Sequence, residues 1–252
     1  MKTSFTKKQR YITLVSVVIL IVIWKLLSLY YHSDFILPSP EKTVWTAINL
    51  ICTKDFLEVV GITILRGLIG FIIAGIAGVA LGIWAGNKPG FYAFISPLIV
   101  VIRSTPVIAI TLLALIWFTP DYLPVFIGLL TMFPLVFTNV YDGMKSIDSS
   151  LVEMAKFYKV SNKRIIREIY IPAITPFIIS GISNAVGIGW RAIIIGEVLG
   201  QPKYGIGTQM QNAQTFLKVD VLIAWTFVVI ILSYLFELLV RWVERKLVTW
   251  KS

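Results

Sequence analysis

The sequence predicts an all-α protein that crosses a membrane six times. Apolar residues make up 57% of its 252 residues and charged residues 14%, with a mean hydropathy of +0.84. A soluble domain is about half apolar and about a quarter charged, so this composition is typical of a protein embedded in a bilayer. We expect one transmembrane domain over residues 1–252, with spans at 11–29, 62–86, 91–118, 122–141, 172–195 and 219–240.

The first apolar run follows a basic segment, which is also the pattern of a secretory signal peptide. No small-x-small cleavage site follows, since Trp24, Lys25 and Tyr30 occupy that region. We therefore expect a retained anchor helix. The next stretch, 41–51, is amphipathic, and its apolar face suits the membrane interface.

Small residues recur at every fourth position of the second run. They are Gly70, Ala74, Gly78, Gly82 and Gly86, with Gly67 and Gly75 in addition. Small residues at this spacing let another helix approach closely. A flexible segment is the alternative, but backbone hydrogen bonds are obligatory in hydrocarbon. The series therefore predicts a packing face.

Prolines and arginines mark the second and third runs. Pro97 and Pro106 should kink the third run, because proline cannot donate the helical hydrogen bond. Arg103 lies near the middle of that run, where an unpaired cation costs at least about 2.5–3.5 kcal/mol. It either meets a transient anion or holds carbonyl groups freed by the kink, and both interpretations stay open. Arg66 lies near the outer end of the second run, from where we expect it to reach the interface.

The longest charged segment, 147–171, separates the fourth and fifth runs. Ser150 and Glu153 have the spacing of a capping box. An apolar stripe follows at helical spacing, formed by Leu151, Met154, Ala155 and Tyr158. A second short helix is expected after Ser161 and should end at Pro172, because proline disfavours helical backbone in the residue before it. Two amphipathic helices between spans predict a surface on which another protein docks.

Polar residues line one face of the fifth run. Ser180, Asn184, Gly187 and Arg191 lie at i, i+4, i+7 and i+11. Such a face borders either a solute path or a neighbouring helix to which it hydrogen-bonds, and the sequence does not decide between them. Glu197 follows and is expected to pair with Arg191.

The distribution of basic residues predicts the orientation. With the N-terminus inside, fifteen lysines and arginines fall in cytoplasmic segments, at 2–10, 88, 145–167 and 241–251. The opposite loops hold only four, which are Lys42, Lys54, Lys203 and Lys218. The positive-inside rule then places both termini and the segment 147–171 in the cytoplasm.

Several chemistries have no support in the sequence. It holds no G-x-x-x-x-G-K-[ST] string, so we expect any ATP to be bound by a partner. Cys52 and His32 are the single cysteine and histidine, which leaves no zinc site and no internal disulfide. We find no catalytic motif, and we expect no enzyme activity, no cofactor and no nucleic-acid partner, because the basic residues lie at the ends of the apolar runs.

The segment 147–171 resembles a known loop. Glu153–Met154–Ala155, then Lys159, then Ile169 to Pro172 follow the spacing E-A-A-x3-G-x9-I-x-L-P of ABC importer permeases. That resemblance implies a coupling helix that docks on a cytoplasmic ATPase through Leu151, Glu153, Met154, Ala155, Tyr158 and Lys159. Lys159 stands where the family has glycine, and a lysine loses about 1 kcal/mol or more in a left-handed turn. We therefore expect a bend of another type.

Two further strings are similar to one branch of these permeases. The string 37–40, L-P-S-P, and the spacing Thr63-x2-Arg66-x3-Gly70-Phe71 resemble the taurine, aliphatic-sulfonate and nitrate branch. At the Gly- and Gln-rich linker 199–214, G-E-x-L-G is followed by G-x-G, and the resemblance implies that part of 196–216 dips back into the membrane.

These resemblances imply a permease subunit in the bacterial cytoplasmic membrane. It would pair with a second, identical copy, an ATPase dimer and an extracytoplasmic binding protein. A small anion is the expected solute, with Arg103, Ser180, Asn184 and Arg191 along its path. The alternative is a channel or ion-coupled carrier without an ATPase, which would be expected to carry inverted repeats that we do not find.

Overall fold

The computed structural model describes residues 7–247, and the side chains of residues 11–240 and 242. Within that range the regular structure is entirely helical: α1 Lys7–Tyr31, α2 Pro40–Ile51, α3 Phe56–Asn87, α4 Pro89–Ser104, α5 Val107–Ala114, α6 Leu123–Lys145, α7 Ser149–Phe157, α8 Asn162–Ile165, α9 Ile171–Gly200, α10 Ile206–Thr215 and α11 Val219–Leu247, with a π-helical turn at Ile166–Tyr170. Lys2 and Lys251 lie outside the described residues, as do the side chains of Lys7, Lys8, Arg10, Arg241, Arg245 and Lys246.

Five helices of the described chain are long and apolar enough to cross a membrane. They are Tyr11–Tyr31, Phe56–Asn87, Leu123–Lys145, Asn162–Gly200 and Val219–Val240. A sixth crossing requires α4 and α5 together, because neither is long enough alone. The all-α class with membrane-spanning helices is thus confirmed.

The expected third span is not one kinked helix. Helix α4 ends at Ser104, Thr105 is extended, and α5 starts after Pro106 at an angle of 100° to α4. The break lies where a residue precedes proline and is therefore disfavoured in the helical region. Pro97 lies inside the continuous helix α4.

By their contacts, the described residues fall into two units. One holds the residues up to 57 together with 209–230. In it, the indole N–H of Trp24 donates to the carbonyl of Pro38 over 3.1 Å, and Thr46 donates to Asp220 over 3.0 Å. Helix α2 confirms the expected amphipathic stretch, and its apolar residues are exposed as they would be at a lipid surface. That the whole chain is one domain stays a prediction.

In the other unit, which holds 58–208 and the residues from 231 on, α3 packs against α6 through the predicted small-residue face. A Cβ added at Gly78 would lie 2.7 Å from the Cβ of Val136, and one added at Gly82 would lie 2.9 Å from that of Val140. Gly86 meets Met144 in the same way. Both partners advance by four residues together, so α3 and α6 run parallel. Gly75 is not part of this face, since a Cβ there would meet nothing within 4 Å.

Helix α9 packs antiparallel to α6. Gly196 lies against Pro124, whereas Gly143, at the other end of α6, lies against Phe177. The three helices α3, α6 and α9 thus enclose a core of buried residues: Ala74, Met132, Val136, Val140, Ala185 and Ile193. This core leaves the opposite face of α9 uncovered within the unit.

Candidate functional site: docking loop and polar face

The predicted docking helix exists as α7, but another residue caps it. Asp148 is the N-cap and accepts the backbone N–H of Ser150 over 2.8 Å, while Ser150 lies inside the helix. The expected capping box of Ser150 and Glu153 is therefore wrong. Hydrogen bonds from the Ser150 hydroxyl and backbone N–H hold the pKa of Asp148 below its usual value. An aspartate at this position accepts a hydrogen bond from a backbone N–H that has no partner within the helix. Its negative charge is also stabilised by the positive end of the helix dipole.

The apolar stripe of α7 faces outward. Leu151 is 46% exposed, Met154 53% and Tyr158 73%, while Ala155 is half-buried and Glu153 exposed. Val152 is buried and holds the helix to the rest of the chain.

Phe157, at 82% exposed, extends the same surface. Sequence analysis missed it because it lies one position away from the counted stripe. An exposed cluster of large apolar side chains of this kind typically marks a protein contact.

Lys159 adopts the conformation that glycine would take in the loop that this segment resembles. Its φ is +55°, in the left-handed region, so the expectation of another bend type is wrong. The backbone N–H of Val160 donates to the carbonyl of Ala155 over 3.0 Å, and that of Lys159 to the carbonyl of Lys156 over 2.9 Å. These two bonds form a Schellman motif, and they hold the lysine in a backbone region that it disfavours.

The helix does not end at Pro172. Helix α8 begins after Ser161 as expected, passes through the π-helical turn Ile166–Tyr170 and continues as α9, so that Asn162–Gly200 forms one helix of 39 residues. Proline clashes with the carbonyl four residues earlier, which here is that of Glu168. The wider π turn contains Glu168 and relieves that clash. The loop is therefore continuous with a membrane span.

The polar residues of α9 share an exposed face. Ser180, Asn184, Gly187 and Arg191 are all exposed, and none of them packs against α3 or α6. Within this unit they do not serve as hydrogen-bonding contacts between helices. The described residues give Arg191 no ion-pair partner, so its expected pairing with Glu197 is wrong.

Arg103 lies in the last turn of α4, directly before the break, and is exposed. It borders two pockets. One, of about 170 Å³, also includes Ile188 on the polar face of α9. The other, of about 360 Å³, lies between α4 and α6. The structure thus brings Arg103 next to the predicted face of α9, while Ser180 and Asn184 lie further along that face.

A buried ion pair was missed by sequence analysis. Arg66 is only 7% exposed and does not reach the interface; its Nη1 donates to Oε1 of Glu197, which is fully buried, over 2.9 Å. Arg66 also donates to Asp121 over 2.7 Å and to the carbonyl of Tyr204 over 2.6 Å. The same carboxylate accepts the Thr63 hydroxyl over 2.9 Å. Arg66 thereby connects α3, α9 and two loops.

The ion pair of Arg66 and Glu197 explains why glycines stand at positions 205 and 207. The backbone N–H of Gly207 donates to Glu197 over 2.9 Å. A Cβ added at Gly205 would lie 2.7 Å from the carboxylate carbon, and one at Gly207 would lie 2.6 Å from the Cβ of Glu197. The sequence contains the residues of this ion pair in two recognisable strings, Thr63-x2-Arg66 and Gly196–Glu197. No feature of either string shows that the two segments lie together in the fold.

Comparison with known proteins gives the class. The family described as "Binding-protein-dependent transport system inner membrane component" matches residues 78–249. An aliphatic sulfonates transport permease of Bacillus subtilis is 28% identical over 93% of this chain and 85% of its own length. The taurine transport system permease protein TauC of Escherichia coli is 25% identical over 92% and 86%. A chain of the inward-facing MetNI methionine ABC transporter shares the fold, with 17% identity, a TM-score of 0.57, and coverage of 81% of this chain and 96% of that one.

The chain therefore belongs to the family of inner-membrane components of binding-protein-dependent transport systems. It is the permease subunit of an ABC importer. The expected membership of the taurine and sulfonate branch of these permeases is confirmed, as is the location in the membrane. Such a system includes an ATPase and a binding protein.

Proposed function

We propose that this permease conducts small anions along the exposed polar face of α9, beside Arg103. The observation that carries the proposal is that Arg103 of α4 and Ile188 of α9 border one pocket, which residues of α5 and α6 complete. Ile188 lies on the exposed face of α9. Polar groups at membrane depth turn toward a water-filled path or the interior of a bundle. A second, identical copy of the chain completes that bundle.

Six crossings and a cytoplasmic N-terminus fit this arrangement. Because α3 and α6 run parallel, the chain between them must cross the membrane an odd number of times. That condition supports the bent pair α4–α5 as one true span. The excess of basic residues then places the termini and α7 in the cytoplasm.

Coupling follows from the exposed surface of α7. Leu151, Met154, Phe157 and Tyr158 dock in a cleft of the ATPase, with Glu153 and Lys159 at the edge of the contact. Because the loop continues into α9 without a break, closure of the ATPases on ATP moves the helix that carries the polar face. ATP is bound by that partner, and this chain needs no cofactor and performs no catalysis of its own.

An anionic solute suits the free guanidinium. Arg103 has no carboxylate partner among the described residues. Its planar fork pairs bidentately with the oxygens of a carboxylate, sulfonate or phosphate. Relatives named for aliphatic sulfonates and taurine point to the same chemistry.

Replacing Arg103 with lysine and with glutamine tests the proposal. If the residue serves an anion, lysine should keep partial transport of a sulfonate in proteoliposomes, and glutamine should abolish it. Assembly with the ATPase and basal ATP hydrolysis should persist in both variants. Loss of assembly in both would instead assign Arg103 to the break between α4 and α5.

A further inference from the structure

The larger of the two pockets beside Arg103 has a lining that the anion path alone does not explain. Its lining includes Arg103, two tyrosines and three hydroxyl residues, and the apolar side chains Ile99, Val100 and Phe137 complete it. The tyrosines and hydroxyl residues are Tyr92, Ser96, Ser104, Thr138 and Tyr141. Four members of α4, Tyr92, Ser96, Arg103 and Ser104, lie at i, i+4, i+11 and i+12, along about 18 Å of the helix. One end of the pocket is therefore cationic and the other aromatic.

The aromatic end is firmly built. The rings of Tyr92 and Tyr141 stack with centroids 4.0 Å apart and planes 5° from parallel. Phe137 continues this arrangement, parallel to Tyr141 at 6.4 Å, and is buried. Rings fixed in this way present their remaining surface to the pocket at little entropic cost.

Size separates the two pockets. A cavity of about 150 Å³ is enough to hold a benzene-sized molecule. The pocket that includes Ile188, at about 170 Å³, is close to the size of such a body alone. The pocket of about 360 Å³ has room for the body and an acid group.

We propose that this larger pocket binds an organic anion with a ring-sized apolar body, whose acid group pairs with Arg103 and whose body lies against Tyr92 and Tyr141. The inference rests on the proposed anion path and narrows its solute class. The hydroxyls of Ser96 and Thr138 flank the body and leave room for a polar substituent. Inorganic oxyanions and one-carbon acids fill only the Arg103 end.

Binding of matched sulfonates to the purified permease–ATPase complex in nanodiscs tests the inference. Methanesulfonate and benzenesulfonate share the acid group and differ in the body. Calorimetric titration without nucleotide or binding protein should give benzenesulfonate at least about 10-fold tighter binding, in the range expected for burial and stacking of one ring.

Two substitutions, each of which fills one of the pockets, show where the apolar body of the ligand lies. Ser96→Leu should weaken benzenesulfonate binding about 10-fold and leave methanesulfonate within about 2-fold. Leu130→Phe fills the smaller pocket and should change neither ligand by more than about 2-fold. If Leu130→Phe is the damaging variant, the body lies in the smaller pocket and the inference is overturned.

The outcomes also distinguish a failure of this inference from a failure of the proposed anion transport. If the two sulfonates bind with equal affinity, and Arg103→Gln abolishes the binding of both, the ring-sized body is overturned and the anion path is supported. Binding that is unaffected by Arg103→Gln, or absent for both ligands, would overturn both.

Discussion

Arg66 and Glu197 are 131 positions apart in the sequence, and their side chains meet over 2.9 Å in the buried part of the chain. Neither charge stands alone: Thr63 and Gly207 add two more donors to the carboxylate, and Asp121 adds a second acceptor for the guanidinium. A buried pair is tolerated when its remaining hydrogen-bonding positions are satisfied, as they are here. The pair and its partners join α3, α9 and the segment 201–208, which includes the start of α10, at one point.

Glu197→Gln should strongly destabilise the permease, because it leaves the Arg66 cation buried with only the exposed Asp121 to pair with. Breaking a buried pair costs about 3–5 kcal/mol. Thermal unfolding of the detergent-extracted chain measures the change. Replacing both Arg66 and Glu197 with leucine should cost less than the sum of the single replacements.

Asp121→Asn is the matched control for that prediction. The Asp121 side chain is 67% exposed, so its contact with Arg66 is screened by solvent. A loss of no more than about 1 kcal/mol is expected. A larger loss than for Glu197→Gln would mean that the exposed contact is the important one.

Gly78→Leu should force α3 away from α6, because even a Cβ would lie 2.7 Å from Val136. Overpacking costs about 1–3 kcal/mol, seen as a lower unfolding temperature. Gly75→Leu, on the same helix, meets nothing within 4 Å and should be neutral or stabilising. If the two variants had the same unfolding temperature, the small-residue face of α3 would face lipid instead of α6.

Ala155→Asp should uncouple the permease from its ATPase. It puts an unpaired charge into the docking surface, which costs several kcal/mol where that surface is buried by the partner. The variant should insert normally but fail to co-purify with the ATPase or to stimulate its turnover. Ser149→Asp, in the first turn of α7, adds the same charge where the helix dipole favours it and is the control. Normal coupled transport in Ala155→Asp would contradict the docking surface.

Lys159→Gly should stabilise the docking loop by about 1 kcal/mol, since the φ of +55° suits glycine. Hydrogen exchange of residues 149–160 should slow accordingly. Lys156→Gly, inside α7, should have the opposite sign by about the same amount. Faster exchange in Lys159→Gly would show that the lysine side chain itself holds the turn.

Sequence reasoning succeeded where the pattern is local and periodic. Apolar runs gave the spanning helices, and the four-residue spacing of Gly78 and Gly82 gave the packing face, because helix geometry places such residues together. It failed where two distant segments decide the outcome. The sequence does not show that Arg66 meets Glu197. It also does not show that the helix continues past Pro172 by way of a π turn at Ile166–Tyr170. The cap at Asp148 was missed because Ser150 offered an equally good local signal.

The parallel small-residue contact between α3 and α6 restricts how these helices can move during transport. Val136 and Val140 lie over Gly78 and Gly82. Between these glycines α3 carries the larger residues Val79, Ala80 and Leu81. Any sliding would have to jump a whole four-residue period, about 6 Å along the axis, before the side chains found space again. Small displacements are therefore resisted, and α3 and α6 should move as one rigid unit during transport.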